Sequence, residues 1–448
     1  MIPTAEQLLV KTLGPATTPS PVPLSERRGP HFVDDGSRVA VEVECHEGEA
    51  PCARVGFEKA GPRSKIFFEP ENTRVGIVTC GGLCPGINNV IRAIVLELHY
   101  RYAIRSIFGI PYGYEGLDPR SGLSPIPLRP KEVQHVHRHG GSFLGLSRGQ
   151  RDVGDLVDGL QHLGIDVLIA IGGDGTLKGA HQIHEEIVRR RLRIAIVGVP
   201  KTIDDDVAFT DETFGFETAV EVARNTIDAA HTEALGARNG VALVKLMGRD
   251  SGFLAAAATI ASMEVNFCLV PEAPFDLYGP HGFLAALEAR IRKSGHAVVV
   301  VAEGCARALI ANDGELDASG NLRYASGAVD VGPYLRDKIT AHFKAANLPL
   351  NLKYLDPSYI VRSVPANAVD AIFCDSLGRN AVHAAMAGKT DVVIGRWHRI
   401  FTHVPLALAT WERRKIDPEG DLWRSVLEAT GQTELRAPNP ESLRAGRG

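Results

Sequence analysis

The sequence lacks the features that mark membrane, secreted or nucleic-acid-binding proteins. None of its apolar runs approaches the length of a membrane-spanning helix, and its first residues contain no apolar core of a signal peptide. The 49 lysines and arginines nearly balance the 53 aspartates and glutamates, which leaves a formal net charge of -4. Such a balance argues against nucleic acid or an anionic membrane as a partner. We therefore predict a cytoplasmic globular protein without either partner.

The seven cysteines also lack the spacing of a disulfide framework or a metal site. Cys45, His46 and Cys52 have no second Cys-x-x-Cys or His-x-x-x-His half, which argues against a metal there. Cys80 and Cys84 do not form the Cys-x-x-Cys pair of a redox site. An odd number of scattered cysteines instead indicates reduced thiols, as expected in the cytosol.

What the sequence does contain is a regular alternation of apolar strands and helices. The segments 167–171 and 194–199 are apolar throughout, which is typical of parallel strands that have helices on both faces. We predict an α/β architecture with mainly parallel sheets. The predicted divisions are an irregular N-terminal arm (1–71), a first lobe (72–218, completed by about 368–410), a second lobe (219–367) and a peripheral C-terminal tail (411–448).

Two strand–turn–helix units offer places for phosphate groups. The strand at 74–79 runs into Gly81-Gly82, and the strand at 167–171 runs into the sequence GGDGT at 172–176. Glycine turns bring backbone N–H groups close to a ligand, and the following helix N-terminus favours an anion. The strand at 107–110 does not end in the acidic residue with which a dinucleotide fold binds ribose. A nicotinamide-dependent oxidoreductase is therefore the weaker interpretation of these turns.

An acidic loop follows the second of these apolar strands. Its sequence, PKTIDDD at 200–206, contains three adjacent aspartates, which repel one another and so have no simple structural explanation. Repulsion is expected to favour protonation of at least one carboxylate, whereas Lys201 opposes this. Singly, each of these residues suits a turn or a helix cap.

Together these loops match the needs of phosphoryl transfer, which depends on positioning and on neutralising charge. Asp174, on the second glycine turn, is a hard oxygen ligand suited to Mg²⁺ that bridges phosphates. Asp204 or Asp206 can accept the proton of an acceptor hydroxyl. Arg148 and Arg249 are candidate cations for the charge of the transition state.

The motifs GGDGT, PKTIDDD, FGFETAV, KLMGRDSGF and LVPE, in this order and spacing, resemble those of 6-phosphofructokinase. The segments AGPRSKIFFEP, VTCGGLCPGINNVIR and GGSFLGLSRG are more narrowly similar to the plant and trypanosomatid type of ATP-dependent enzyme. The resemblance runs from about residue 55 to 425. GGDGT also occurs in NAD kinases and diacylglycerol kinases, but PKTID followed by MGR does not.

The resemblance implies a fold of two Rossmann-like lobes, with nucleotide bound by the first lobe and sugar phosphate by the second. It implies transfer of the γ-phosphoryl group of ATP to the 1-hydroxyl of fructose 6-phosphate, which gives fructose 1,6-bisphosphate in glycolysis. Mg²⁺ is the implied metal. A homotetramer is the implied assembly, with a dimer as the alternative, and the terminal extensions are expected at subunit contacts.

The resemblance also implies a role for each motif residue. Asp204 is the implied base, with Asp206 beside it and Thr202 on the transferred phosphoryl group. The implied catalytic set is Lys201, Thr202, Asp204, Asp206 and Arg249. The residues implied to bind ATP are Gly81, Arg148, Gly173, Asp174, Gly175 and Thr176, with Asp174 as the metal ligand. The residues implied to bind fructose 6-phosphate are Thr202, Asp204, Met247, Gly248, Arg249, Glu272, Lys353, Tyr359 and Arg362.

One position in this set bears on the phosphoryl donor. Pyrophosphate-dependent relatives usually have aspartate where this chain has Gly175, and that carboxylate would repel the α-phosphate of ATP. Lys201 is typical of pyrophosphate enzymes but also occurs in the plant and trypanosomatid ATP type. Gly175 therefore favours ATP, and a pyrophosphate-dependent enzyme is the alternative.

Four positions depart from the family pattern, and one of them, Lys353, stands where the bacterial enzymes have an arginine and keeps its positive charge. Asp205 replaces asparagine. Its added charge is expected either to raise the pKa of the neighbouring base or to be neutralised by Lys201. Gly240 stands where bacterial enzymes have an arginine contributed by a neighbouring subunit, and Tyr359 stands where they have histidine. These departures leave a catalytically silent subunit that binds sugar phosphate as a further alternative.

Overall fold

The computed structural model describes residues 2–23, 31–43, 55–149, 151–305, 314–316, 322–324 and 330–436. The chain divides into two compact units. Unit 1 comprises Met1–Ile203, Val207–Thr218 and Arg362–Arg413, and unit 2 comprises Asp204–Asp206, Ala219–Val361 and Arg414–Gly448. Cys45, His46 and Cys52 lie outside the described residues.

The strands are short at the N-terminus and longer in the body of the chain. They are β1 (Lys11–Thr12), β2 (Thr18–Pro19), β3 (Arg38–Ala40), β4 (Gly56–Lys59), β5 (Lys65–Ile66), β6 (Arg74–Thr79), β7 (Ser106–Ile110), β8 (Ile126–Pro127), β9 (Val167–Gly172), β10 (Ala195–Pro200), β11 (Gly240–Leu246), β12 (Phe267–Leu269), β13 (His296–Ala302), β14 (Gly314–Leu316), β15 (Leu322–Tyr324), β16 (Asn351–Leu355), β17 (Lys389–Thr390), β18 (Val392–Trp397) and β19 (Ile400–Pro405).

Helices separate most of the longer strands. They are α1 (Ile87–Tyr100), α2 (Val153–Leu163), α3 (Asp174–Arg189), α4 (Phe216–Leu235), α5 (Phe253–Ser262), α6 (Phe283–Ser294), α7 (Val331–Ala345), α8 (Ile360–Ser363), α9 (Ala368–Met386), α10 (Leu406–Ala409) and α11 (Asp421–Thr430). Among the described residues, no helix combines the length and the apolar character needed to cross a lipid bilayer.

Unit 1 is built on a nine-stranded sheet in the order β3-β4-β19-β18-β10-β9-β6-β7-β8. The five strands from β18 to β7 are parallel, and the outer strands pair antiparallel. Every residue of β9 and β10 is buried, which explains their unbroken apolar sequences. The predicted α/β class with mainly parallel sheets is confirmed.

The carboxyl ends of β9 and β10 bring two predicted motifs to the same sheet edge. Pro200 pairs in register with Gly172, and the Lys201 N–H donates to the Gly172 carbonyl at 3.0 Å. The glycine turn and the start of the acidic loop are therefore neighbours within unit 1. Ligands of open parallel sheets bind at such an edge.

Unit 2 contains a four-stranded parallel sheet in the order β12-β13-β11-β16. All seven residues of β11 are buried, and Met247, Gly248 and Arg249 follow its carboxyl end. Glu272 follows β12, and Asp356 follows β16. The motifs expected to bind the sugar phosphate thus leave this sheet at the carboxyl ends of its strands.

The N-terminal extension is part of unit 1 and is joined to the rest of it by short strands. β1 pairs with β17, β2 with β5, and β3 with β4, which in turn pairs with β19. Lys11 forms an ion pair with the buried carboxylate of Asp391 at 2.8 Å. Strand pairing and an ion pair therefore both hold the extension against its own chain.

The FGFETAV motif is anchored by a buried carboxylate of unit 1. Asp370 accepts hydrogen bonds from the backbone N–H groups of Gly215 and Thr218, both at 2.7 Å, and from the Thr218 hydroxyl. Burial raises the pKa of Asp370, although these hydrogen bonds act against that rise. The contacts fix the chain where α4 begins.

Candidate active site

The second glycine turn leads directly into helix α3. Gly173 is the N-cap residue and Asp174 is the first helical residue, so the backbone N–H groups of this helix start at the sheet edge. A Cβ atom placed on Gly175 would have no protein atom within 4 Å. The space beside Gly175 within its own unit is therefore open to a ligand.

The first glycine turn meets Lys201. Gly81 has a φ of +88°, a backbone conformation that favours glycine. The buried Lys201 ammonium donates to the Gly82 carbonyl at 2.6 Å. A Cβ atom on Gly81 would lie 3.7 Å from Lys201 Nζ and 4.0 Å from Thr176 Oγ1. The two glycine turns, Lys201 and Thr176 therefore converge, as the motif set predicts.

Two guanidinium groups approach the same turn. A Cβ atom on Gly82 would lie 3.1 Å from Arg148 Nη2 and 3.7 Å from Arg362 Nη1. Arg148 was expected to contact nucleotide phosphates and Arg362 the sugar phosphate. Their joint position beside a glycine turn suits a group that carries several negative charges.

Asp174, the predicted metal ligand, has a partly exposed carboxylate at the start of α3. It accepts from Lys178 Nζ at 3.0 Å and lies 3.5 Å from Arg413 Nη2. In the part of the chain that the structure describes, no cluster of three or more histidine, cysteine or acidic residues could hold a metal. A single carboxylate nevertheless fits Mg²⁺, which proteins often bind through one or two carboxylates together with substrate phosphates.

Cys80 lies beside this convergence but is not a reactive thiol. Burial raises its pKa to about 12, even though Lys201 favours the thiolate. The thiol is therefore protonated at neutral pH, and Cys80 serves as a small packing residue.

The acidic loop is held at each of its three aspartates by other residues of unit 2. The Ser251 hydroxyl donates to the Asp204 carbonyl at 2.9 Å, and the Arg414 N–H donates to the Asp206 carbonyl at 2.9 Å. Asp205 is buried, and its carboxylate forms an ion pair with the Arg414 guanidinium. Sequence reasoning named Lys201 as the cation for Asp205 and missed Arg414.

Thr202 belongs to unit 1 and leads into this loop. Its carbonyl accepts from the Thr213 hydroxyl at 2.7 Å. The contact ties the start of the loop to the segment that precedes the FGFETAV motif.

The KLMGRDSGF motif makes a tight turn after β11. Gly248 has a φ of +129°, and a Cβ atom there would lie 2.4 Å from the Ser251 carbonyl oxygen. Its own carbonyl accepts from the Gly304 N–H at 2.8 Å. Met247 and Arg249 flank this turn and are half-buried. Only glycine fits this position, so the turn presents its neighbours in a fixed conformation.

Glu272 has one fixed and one available carboxylate oxygen. Its Oε1 accepts from the Gly252 N–H at 3.0 Å and the Ile416 N–H at 3.2 Å. Its Oε2 is buried and has no hydrogen-bond partner within the described residues. Such an atom is ready to accept a hydrogen bond from a ligand hydroxyl, because a buried acceptor is costly to leave without a donor.

Lys353 and Tyr359 both have exposed side chains, on β16 and just after it. The segment between them is fixed by Lys245, which pairs with Asp356 at 2.7 Å and with Asp330 at 2.8 Å. Burial lowers the pKa of Lys245, but the two carboxylates outweigh this and raise it. No sequence motif pointed to Lys245.

Gly240 has a structural reason for its departure from the bacterial pattern. A Cβ atom there would lie 2.0 Å from the Ala234 carbonyl oxygen, in the turn between α4 and β11. The backbone therefore excludes any side chain at this position, and an arginine at this site requires a different turn.

Comparisons with known proteins agree with one another. A family model described as Phosphofructokinase matches residues 74–385. The chain is 48% identical over 410 residues to an ATP-dependent 6-phosphofructokinase of Borreliella burgdorferi, covering 90% of this chain and 91% of that protein. It is 45% identical over 437 residues to the enzyme of that name from Amycolatopsis methanolica, covering 95% of each.

A trypanosome protein and a crystal structure also match this chain. An ATP-dependent 6-phosphofructokinase of Trypanosoma brucei brucei is 45% identical over 376 residues, covering 83% of this chain and 76% of that protein. The crystal structure of a pyrophosphate-dependent phosphofructokinase from Marinobacter aquaeolei matches with a TM-score of 0.64 at 21% identity. This match covers 82% of this chain and 94% of that one, and it shows likeness of fold alone.

Proposed function

Because the chain belongs to the phosphofructokinase family, we propose that it transfers the γ-phosphoryl group of ATP to the 1-hydroxyl of fructose 6-phosphate, giving fructose 1,6-bisphosphate. The observation that carries the proposal is the convergence of Lys201, Arg148 and Arg362 on the Gly81-Gly82 turn. Cations around a glycine turn are what a migrating phosphoryl group requires. The relatives named above support the same reaction.

ATP is the proposed donor. Gly81, Gly173 and Thr176 would line the phosphates, and the open space beside Gly175 would admit the α-phosphate. An aspartate at that position would place a carboxylate in this space and repel the phosphate. The relatives compared above at 45–48% identity are named as ATP-dependent.

Mg²⁺ would be held by Asp174 together with the phosphates of ATP. When bound, the metal neutralises charge on the phosphate oxygens and orients the transferred group. The carboxylate would have to leave Lys178 and Arg413, both of which are cations that can contact phosphate oxygens instead.

The acidic loop would bind and deprotonate the acceptor hydroxyl of fructose 6-phosphate. Asp204 would take the proton of the 1-hydroxyl, with Asp206 beside it, and Thr202 would contact the phosphoryl group. Arg249, with Arg148 and Lys201, would balance the charge of the transition state.

The remaining motif residues would bind the sugar phosphate. The available Oε2 of Glu272 would accept a sugar hydroxyl. The proposed partners of the rest of the molecule are Met247, Gly248, Arg249, Lys353, Tyr359 and Arg362. The homotetramer and the cytoplasmic location stay predictions.

A two-donor assay tests this proposal. Purified full-length protein is given fructose 6-phosphate and Mg²⁺ with either ATP or pyrophosphate, and fructose 1,6-bisphosphate is followed by a coupled reaction. We expect turnover with ATP to exceed turnover with pyrophosphate by roughly 100-fold or more. Asp204→Asn should lower kcat by roughly 10²- to 10⁴-fold, as loss of a general base does.

The other outcomes each point to another function. Faster turnover with pyrophosphate would replace the donor assignment while keeping the acceptor. Binding of fructose 6-phosphate without turnover from either donor would identify a silent subunit instead.

A further inference from the structure

We propose that Arg414 is a positioning residue for catalysis, which holds the acidic loop in its working conformation through Asp205. The inference rests on the proposed function, because it assigns a task to the loop that contains the base Asp204. Arg414 lies in the tail predicted to be peripheral, and no motif of the sequence includes it. The contacts from which we argue are all with residues of unit 2.

Arg414 holds the loop through two independent contacts. Its guanidinium forms an ion pair with the Asp205 carboxylate, and its backbone N–H donates to the Asp206 carbonyl at 2.9 Å. Together with the hydrogen bond from Ser251 to the Asp204 carbonyl, each of the three aspartates has a fixed point. A base that must meet its proton within a few tenths of an ångström needs such restraint.

The guanidinium is itself fixed from the other side. It lies 4.5 Å from the centroid of the Phe253 ring, close enough for a cation–π interaction. Phe253 is the first residue of α5 and follows Ser251 by two positions. The segment that holds Asp204 therefore also holds the cation that pairs with Asp205.

The same tail segment also reaches Glu272. The Ile416 N–H donates to Glu272 Oε1, two residues after Arg414. One short stretch of chain thus joins the loop of the base to a residue proposed to bind the sugar. Displacement of Arg414 is expected to disturb the acceptor side rather than the ATP side.

Charge explains why arginine is needed here. The Asp205 side chain is only 6% exposed, so its charge is poorly solvated and requires a paired cation. Its φ of +53° is a conformation that asparagine and aspartate adopt more readily than other non-glycine residues. The backbone therefore accepts either residue, but only aspartate creates the need for Arg414.

The test compares Arg414→Leu, Arg414→Lys, Asp205→Asn and the double variant Asp205→Asn with Arg414→Leu. Arg424→Leu is the matched control, since Arg424 forms an exposed ion pair with Asp421 in the same unit. For each protein, kcat, the KM for ATP and the KM for fructose 6-phosphate are measured, and kcat/KM is recorded against pH. Circular dichroism determines the folded fraction, to which kcat is normalised.

We expect Arg414→Leu to lower kcat per folded molecule by about 30-fold and to leave the KM for ATP within about twofold. The acid limb of its pH profile should move to higher pH, because removing the positive charge of Arg414 makes ionisation of the carboxylates in the loop less favourable. Charged residues of the loop and of the segments that contact it include Lys201, Asp206, Arg249, Asp250, Glu272, Arg413 and Lys415, and all the variants retain them. The double variant should regain the wild-type pH profile and most of the wild-type kcat, because Asp205→Asn removes the buried charge. Arg414→Lys should keep part of the wild-type kcat.

Two results would overturn the inference. One is an unchanged pH profile and kcat in folded Arg414→Leu. The other is a double variant that is no better than the single one. If Arg414→Leu does not fold, the double variant and Arg414→Lys give the same decision through the same two measurements. Absence of turnover by the wild-type protein with either donor would instead remove the proposed function, and the role of Arg414 with it.

Discussion

Two consecutive arginines contact aspartates from two different motifs, and the two pairs differ in kind. Arg413 lies 3.5 Å from Asp174 in unit 1, and Asp174 also accepts from Lys178. Arg414 forms a direct ion pair with Asp205 in unit 2. The arginines are almost equally exposed, at 29% and 28%, but the aspartates are 20% and 6% exposed. The difference therefore lies in the burial of the carboxylates.

The comparison separates a replaceable ion pair from a structural one. Asp174 is partly exposed and has two cations near it, so it can exchange them for a metal at a smaller cost than a buried carboxylate. Asp205 is only 6% exposed, so its charge depends more strongly on the ion pair with Arg414. The carboxylate proposed to bind a metal is thus partly exposed, whereas the carboxylate proposed to hold the loop in place is buried.

The largest expected effect comes from removing the replaceable carboxylate. Asp174→Asn should lower kcat with ATP by roughly 10²- to 10³-fold, because the amide is a poor Mg²⁺ ligand and the phosphate charge loses its counterpart. Steady-state kinetics over a range of Mg²⁺ concentrations measure this. Lys178→Gln is the comparison variant, since it removes the ion pair but keeps the carboxylate that would bind the metal. Equal losses in the two variants would show that the ion pair matters rather than the metal.

The difference between the two ion pairs should appear in the free energy of unfolding. Arg414→Leu should lower the free energy of unfolding by roughly 3 kcal/mol, as expected when one partner of a buried ion pair is removed. Arg413→Leu should lower it by less than about 1 kcal/mol, as for exposed pairs. Urea denaturation measures both, and Asp205→Asn should reduce the effect of Arg414→Leu. Equal losses of unfolding free energy in the two variants would show that the two ion pairs do not differ in their contribution to stability.

A smaller effect is expected beside Asp174, at Gly175. Gly175→Asp should raise the KM for ATP by about tenfold, because a second carboxylate at the start of α3 repels phosphate. Gly175→Ala is the control, since a Cβ atom there meets no protein atom within 4 Å and alanine favours the helix. Unchanged ATP kinetics in the aspartate variant would remove the argument that Gly175 selects the donor.

The smallest expected effect concerns competition for Asp174. Arg413→Leu should lower the Mg²⁺ concentration for half-maximal rate by about twofold, because one competing cation is removed from the carboxylate. Titration of the rate with Mg²⁺ at fixed ATP measures it. A rise in that concentration would show that Arg413 helps to bind the metal–nucleotide complex and does not compete with the metal.

The parallel strands and the glycine turns were predictable from sequence, because apolar runs and glycine-rich turns are local signals. The convergence of Lys201 and Thr176 on the Gly81 turn followed from the rule that strand ends share an edge. Arg414 was not predictable in this way. Its partner is 209 positions away in sequence, and within WERRK it has the pattern of a solvated charged run. Lys245 was missed because a lysine inside an apolar strand gives no sign of its two carboxylates.

Asp205 itself was the available signal for Arg414. An aspartate in place of an uncharged residue at a buried position requires a compensating cation somewhere in the fold. The nearest cation along the chain is Lys201, which the sequence therefore favours over the distant Arg414. Pairing over long sequence distances cannot be recovered from the order of residues alone.

The division of the chain into units has a practical consequence for protein engineering. The chain passes between the units five times, at 203/204, 206/207, 218/219, 361/362 and 413/414. Neither unit is a continuous stretch, so neither can be cloned as a single fragment or transplanted with one pair of splice sites. One passage separates Arg413 from Arg414, so inserting an uncharged residue at that peptide bond alters the spacing of the two ion pairs without changing a single charge.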